Sequence, residues 1–149
     1  MGPRAVVGID FGEFHLCLPK QGCANWARQE AVVADLCKHP HITEIVDCFQ
    51  TGAGEQKSVH LVYRFAGLDM GSLLKEKCPP RSGLVRDAVH HTLLGVRHIH
   101  SLGLLHADIK PANLLVQVGD SGSWFVRVGD LGNVLEARGQ TSMGIPIGE

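Results

Sequence analysis

The chain has 149 residues, a length that suits one domain able to bury roughly 68–70% of its unfolded surface. Its composition, 44% hydrophobic and 19% charged, is that of a folded globular protein. A formal net charge of −1 excludes a broad electrostatic attraction to nucleic acid or to an anionic membrane. No apolar run reaches the roughly 20 residues that a membrane-spanning helix needs.

The first residues, Met1-Gly2-Pro3-Arg4, carry no apolar core of the signal-peptide kind, and Val6 breaks the pattern for myristoylation at Gly2. Arg4–Ile9 and Phe14–Leu18 are short apolar runs around Gly12-Glu13 and predict two strands joined by a turn. Asn25–Lys38 predicts a helix, with Asn25 as its N-cap and Trp26, Val33, Leu36 and Cys37 recurring at the helical period. Pro40 ends it, because a residue before proline avoids the helical region.

Ile45–Gln50 and Ser58–Phe65 predict two more strands across the polar turn Thr51–Lys57. Gly67 lets the chain turn into a short helix, Met70–Lys77, ahead of Pro79-Pro80. Leu84–Leu102 is the clearest helix: Val85, Ala88, Val89, Leu93, Val96 and Ile99 form one apolar face, Ser82 can cap the start, and Gly103 suits the left-handed position after the end. Leu114–Val118 and Trp124–Val128 predict a hairpin around Gly119-Asp120-Ser121-Gly122-Ser123.

The five cysteines lack C-x-x-C spacing and predict reduced thiols, packed as small apolar groups, in a cytoplasmic or nuclear protein. The nine histidines are scattered. His39 and His41 flank Pro40, and His98 and His100 are two apart and do not share a helix face. They read as packing or surface residues, and no metal site is expected from them.

The chemistry concentrates in Leu104–Val116, where His106, Asp108, Lys110 and Asn113 fall in one short segment between apolar runs. Asp108 can accept a proton, Lys110 supplies a compact cation, and Asn113 offers a neutral oxygen to a hard metal ion. Pro111 blocks helix continuation and biases Lys110 toward an extended conformation, so a fixed loop is predicted. Those parts suit phosphoryl transfer. After the hairpin, Gly129-Asp130-Leu131-Gly132 adds a second carboxylate on a turn.

His106-Ala-Asp108-Ile-Lys110-Pro111-Ala-Asn113 resembles the catalytic loop of eukaryotic protein kinases, with Ala107 in place of the usual Arg. Asp130-Leu-Gly is similar to the kinase Asp-Phe-Gly that follows that loop. The resemblance implies an α+β, protein kinase-like fold: a small antiparallel N-lobe sheet with one helix, then a helical C-lobe that is truncated. Residues 1–66 would be the N-lobe and hinge, and 67–149 the C-lobe from its start through the activation segment.

It further implies that Asp108, Lys110 and Asn113 are catalytic, that Asn113 and Asp130 hold Mg²⁺, and that ATP is the cofactor. Glu30, in the helix before His39-Pro40-His41-Ile42, resembles the glutamate of kinase helix C, which pairs with a lysine of the third strand. By pattern that lysine falls on Cys17 or Leu18, which cannot serve, and Lys20 is the nearby cation. Gly8, Phe11 and Gly12 do not complete the phosphate loop G-x-G-x-x-G, so a remnant of it and a plain turn both stay open. Tyr63 would border the back of the nucleotide pocket, and Arg64–Ala66 would offer backbone groups to adenine. Thr141–Glu149 resembles the end of an activation segment, with Ile145 at its threonine position.

The implied reaction is transfer of the ATP γ-phosphoryl to a protein hydroxyl, and Lys110 is the choice of serine/threonine kinases. The expected partners are ATP and a protein substrate, with neither nucleic acid nor membrane. Without an arginine at Ala107, a phosphate on Thr141 or Ser142 has one fewer charged partner, so little dependence on such phosphorylation is expected. Two alternatives belong to other classes. One is a pseudokinase-like module that binds nucleotide or partners without turnover. The other is a small-molecule phosphotransferase, against which Lys110-Pro111 argues.

Overall fold

In this computed structural model the structure describes residues 5–9, 13–21, 24–52, 58–75, 82–119 and 122–137, with side chains described at 27–52, 58–75, 83–119 and 122–137. The chain divides into two compact units. Among the described residues, the first comprises those up to Leu36 together with Glu44–Phe65, and the second comprises Cys37–Thr43 and those from Ala66 to Ala137.

The first unit is an antiparallel sheet carrying one helix. Strand β1 (Ala5–Ile9) pairs with β2 (Glu13–Gln21), as the two apolar runs predict. Strand β2 pairs with β4 (Ser58–Arg64), which pairs with β3 (Ile45–Thr51), giving the order β1-β2-β4-β3. Pro19 lies in β2 opposite His60, beyond the last residue that pairs with β1, where a missing N–H is tolerated. Strand β4 is the centre of the unit, with Val59, Leu61, Val62 and Tyr63 all buried.

Helix α1 (Ala24–Leu36) turns Ala27, Glu30, Val33 and Ala34 into the core, positions three and four apart that share one helical face. Two expectations are corrected here. Asn25 lies inside the first turn instead of capping it, and Leu36 is exposed, because the helix ends there and the chain leaves with Cys37 as the buried residue.

The second unit holds a three-stranded antiparallel sheet, β5-β7-β8, formed by β5 (Leu68–Asp69), β7 (Leu114–Val118) and β8 (Trp124–Val128). The predicted hairpin is β7–β8, paired from Leu114↔Val128 to Val118↔Trp124. Gly67 has φ of 99°, and a Cβ there would lie 1.9 Å from the Val116 carbonyl oxygen, so only glycine lets the chain enter β5. Helix α2 (Met70–Lys75) is capped by Asp69, whose carboxylate accepts from the Ser72 N–H at 2.8 Å and the Ser72 hydroxyl at 2.7 Å.

Helix α3 (Ser82–Ser101) packs on β8 and closes at Gly103, which takes the expected left-handed conformation. Ser82 is already helical instead of capping. The apolar face is also corrected: Ala88, Gly95 and Ile99 are buried, whereas Val85, Val89 and Leu93 are 47%, 55% and 61% exposed. A last pair, β6 (Leu104–Leu105) and β9 (Leu135–Glu136), is antiparallel. The architecture is α+β, and among the described residues no helix is long and apolar enough to cross a membrane.

Candidate functional site

Two strand pairs hold two loops against each other. The loop 106–113 runs from β6 to β7, the loop 129–134 runs from β8 to β9, and β6 pairs with β9 while β7 pairs with β8. Both loops are therefore fixed at both ends, which is what a preorganised polar site requires.

His106 joins them from inside. It is 2% exposed, its Nε2–H donates to the Gly129 carbonyl at 3.0 Å, and its Nδ1 accepts the Asp108 N–H at 3.3 Å. One donating and one accepting nitrogen define a neutral ring with its proton on Nε2. Burial pushes its pKa down in the same sense, opposed by the Gly129 hydrogen bond and the carboxylates of Asp130 and Asp108. The Gly129 N–H in turn donates to the Asn113 carbonyl at 2.8 Å.

Asp108 is the hub of the first loop. Its Oδ2 accepts from Lys110 Nζ at 2.6 Å and from Asn113 Nδ2 at 3.0 Å, with Asn133 Nδ2 farther off at 3.5 Å. Asn113 Nδ2 also donates to the Asp108 carbonyl at 2.9 Å. The hydrogen bond from Lys110 holds the Asp108 carboxyl below the usual carboxylate range, and the same bond raises Lys110. Both groups touch solvent, so water screens the pair and its value is geometric more than stabilising.

The backbone follows from local chemistry. Lys110 sits at φ −154° and ψ 160°, the extended conformation that Pro111 predicts, and a 3₁₀ turn follows over Pro111–Asn113. Asn113 is buried at its end. Ala107 has φ of 61° and Asp130 has φ of 59°, both in the left-handed region that residues with a Cβ seldom occupy. That conformation places Asp130 at the start of the 3₁₀ turn Leu131–Asn133 with an exposed side chain.

The donor set fits a magnesium ion. Asn113 spends its amide hydrogens on Asp108, which leaves its oxygen as the acceptor, and Asp130 adds a carboxylate. Hard oxygen donors in small number, completed by substrate phosphates, are the usual protein share of a Mg²⁺ site. Among the described residues, no group of three or more His, Cys, Asp or Glu could hold a metal unaided.

The other sequence-predicted residues lie in the first unit. Glu30 is 1% exposed, and its Oε1 accepts the Tyr63 hydroxyl hydrogen at 2.7 Å. Lys20 is placed by its backbone in β2 opposite Val59, with Cys17 opposite Val62 and Leu18 opposite Leu61. The side chains of these three residues lie outside the described set, as do Phe11, Gly12, Thr141, Ser142 and Ile145 altogether. The structure thus gathers Asp108, Lys110 and Asn113 in one cluster, brings the Asp130 turn to it through His106 and Gly129, and sets Glu30 beside Tyr63.

Sequence reasoning missed two of these contacts. Tyr63 had a signal, since a tyrosine in a buried strand needs a partner for its hydroxyl. Asn133 had none, because its approach to Asp108 depends on the pairing of β6 with β9.

The sequence model of one family, described as the protein kinase domain, matches residues 18–147. The chain is 32% identical over 118 residues to the meiotic mRNA stability protein kinase SSN3 of Saccharomyces cerevisiae, covering 74% of this chain and 20% of that protein. It is 33% identical over 118 residues to the serine/threonine-protein kinase SSN3 of Kluyveromyces lactis, covering 74% and 18%. Against the cyclin-dependent kinase D-1 of Arabidopsis thaliana the identity is 31% over 98 residues, covering 65% and 24%. The matches span about a fifth of the length of these curated relatives.

Proposed function

The chain belongs to the protein kinase domain family, and from that premise we propose that it binds Mg²⁺-ATP and passes the γ-phosphoryl group to a serine or threonine hydroxyl of a protein. The observation that carries this reading is the cluster on Asp108, with Lys110 at 2.6 Å and Asn113 at 3.0 Å, in a loop tied to the Asp130 turn.

In this reading Asp108, ionised and fixed by two donors, orients the acceptor hydroxyl and takes its proton. Lys110 neutralises charge on the transferring phosphoryl. The hydroxyl oxygen forms the new bond to phosphorus as the bond to the ADP oxygen breaks. Asn113 and Asp130 would hold Mg²⁺, which would supply charge neutralisation to the phosphates. Catalysis of this kind is mostly positioning and electrostatics, so the value of the site lies in how firmly its residues are held. Glu30, fixed by Tyr63, is assigned to cofactor binding with Lys20 as its cation. The loop sequence His106-Ala107-Asp108 makes this a kinase variant without the usual arginine, and Asp130-Leu131-Gly132 stands for Asp-Phe-Gly.

Residues 1–66 act in this reading as the N-lobe and hinge, and 67–149 as the start of the C-lobe through the activation segment. The described cysteines, Cys37 and Cys48, carry unpaired thiols, which supports a reducing compartment, cytoplasmic or nuclear. The serine/threonine choice rests on Lys110 and on the similarity to serine/threonine-protein kinases.

Binding without turnover is the second reading. It is favoured by Cys17 and Leu18 at the expected lysine position and by the unmet G-x-G-x-x-G pattern. One experiment separates the two. Thermal unfolding of the 149-residue chain is followed with and without Mg²⁺-ATP, and phosphate transfer from radiolabelled ATP to a generic Ser/Thr peptide is then counted. A shift with transfer supports the kinase reading, a shift without transfer supports the binding module, and no shift removes both.

A further inference from the structure

Five of the histidines that the sequence reads as packing or surface residues are gathered on one edge of the second unit. His41 stacks on His91 with centroids 4.2 Å apart and on Phe125 at 4.6 Å. His39 stacks on His98 at 5.0 Å and lies 5.7 Å from His41, and His90 continues the series 5.9 Å from His91. Five imidazoles from two chain segments thus form one ladder against β8.

The ladder closes a sheet edge. Strand β8 is the outer strand of β5-β7-β8, and its edge is taken by residues 41–43 through a parallel bridge. Thr43 N–H donates to Val128 O and Val128 N–H donates to His41 O, each at 2.9 Å. The edge groups of Val126 go to imidazoles: His41 Nδ1–H donates to Val126 O at 3.0 Å, and Val126 N–H donates to His91 Nδ1 at 3.4 Å. The segment sits so close to α3 that a Cβ on Gly95 would lie 2.6 Å from the His41 carbonyl oxygen.

Two of the rings must be neutral for this arrangement to exist. His91 Nδ1 accepts from Val126 N–H, and His39 Nδ1 accepts from His41 N–H at 3.1 Å. A proton on either Nδ1 would point a donor at a donor and set a cation face to face with another imidazole. Among the described residues, His98 Nε2 is buried without a hydrogen-bond partner.

We propose that this imidazole ladder is a pH-sensitive latch, in which neutral rings hold residues 39–43 on the edge of β8 and protonation in mildly acidic solution releases them. Segment 37–43 is the covalent continuation of α1, the helix that carries Glu30. The inference does not depend on phosphoryl transfer.

The surrounding charges support the direction. On α3, Arg97 disfavours a cation at His39, and Asp87 favours one at His91 but is shared with Arg86 at 3.5 Å. On β8, Arg127 lies 4.6 Å over the Phe125 ring and adds positive charge beside the stack. On the segment itself, His41 disfavours a cation at His39. Burial first, then His98, His41 and Arg97, lowers the pKa of His39; burial first, then His41 and His90, lowers that of His91 against the pull of Asp87. The sign follows: a histidine whose folded pKa is depressed contributes stability that is complete above its unfolded pKa and is lost as pH falls through that value toward the folded one.

The test is amide hydrogen exchange on the 149-residue chain, read at Thr43 and Val128 and corrected for the intrinsic effect of pH. Protection should fall about tenfold or more from pH 7.5 to 5.5, as two such groups titrate. The double variant His39→Asn, His91→Asn keeps a side-chain acceptor on each residue and cannot titrate, so its protection should change less than about threefold over the same range. A His60→Asn variant, outside the ladder, should behave as the wild type. If the double variant does not fold, the wild-type ring proton resonances serve instead: His39 and His91 should titrate below the ordinary histidine range, in step with loss of Thr43 protection. Protection that is flat with pH in the wild type, an unchanged pH response in the double variant, or rings that titrate at ordinary values would overturn the proposal.

Discussion

His106 and Gly129 stand 23 residues apart in the chain, and a buried 3.0 Å hydrogen bond joins them. The bond links the loop that carries Asp108 to the turn that carries Asp130, so one imidazole fixes the relation between the two carboxylate-bearing segments. His106→Ala removes the donor to Gly129 and the acceptor for Asp108 N–H, and leaves a cavity. A loss of about 2–4 kcal/mol in urea unfolding is expected. A loss under about 0.5 kcal/mol would mean the bond is incidental.

Tyr63 supplies a donor to the buried Glu30 carboxylate. Tyr63→Phe keeps the ring and removes only that donor, which should cost about 1–3 kcal/mol, since bonds to charged groups are the stronger ones. In the Glu30→Gln background the same change should cost less, because a neutral amide needs the donor less. Urea unfolding of the four proteins gives the coupling energy, and strict additivity would show that the two side chains do not act together.

Ala107 occupies a left-handed conformation with φ of 61°. Ala107→Gly relieves that strain but adds freedom to the unfolded chain, so a net gain of about 0.5–1 kcal/mol is expected. Ala107→Val should lose about 1 kcal/mol or more, because a β-branched residue fits the left-handed region worst. A stabilising valine would contradict the backbone assignment.

Asp108→Asn should lower peptide phosphorylation at least about a hundredfold while leaving Mg²⁺-ATP binding close to that of the wild type. Asp130→Asn should instead weaken the Mg²⁺ dependence of nucleotide binding, read by thermal shift over a magnesium titration. The hydrogen bond from Lys110 depresses the Asp108 carboxyl, so its ionised form persists to lower pH than that of an ordinary carboxylate. A pH profile that fails at ordinary carboxylate values in the wild type would assign the acid limb to another group.

On α3, Leu93→Ser should change stability by no more than about 0.5 kcal/mol, whereas Ile99→Ala should cost about 2–5 kcal/mol. Both substitutions fall on the face that periodicity marks as apolar, but only Ile99 is buried among the described residues. Equal losses would return the helix to the orientation that periodicity suggests.

The sequence by itself determined what lies close along the chain. Asp108, Lys110 and Asn113 span less than two turns' worth of backbone, Pro111 dictates the extended Lys110, and alternating apolar runs with a Gly/Ser turn make the β7–β8 hairpin. These are local effects, decided by sterics and hydrogen bonds within a few residues, and so they are legible without the fold. Only the tertiary structure decided which groups meet across the chain. Periodicity says that α3 has an apolar side, but its rotation was set by Gly95, whose missing Cβ admits the His41 carbonyl, and by the His91 imidazole that accepts from Val126 on the edge of β8. Histidine carries no pattern that distinguishes a surface ring from one that accepts a backbone N–H, because that role is conferred by a partner from another segment. The same holds for Glu30, which sequence marks as a functional charge on a helix and only the fold seals in the core against the Tyr63 hydroxyl.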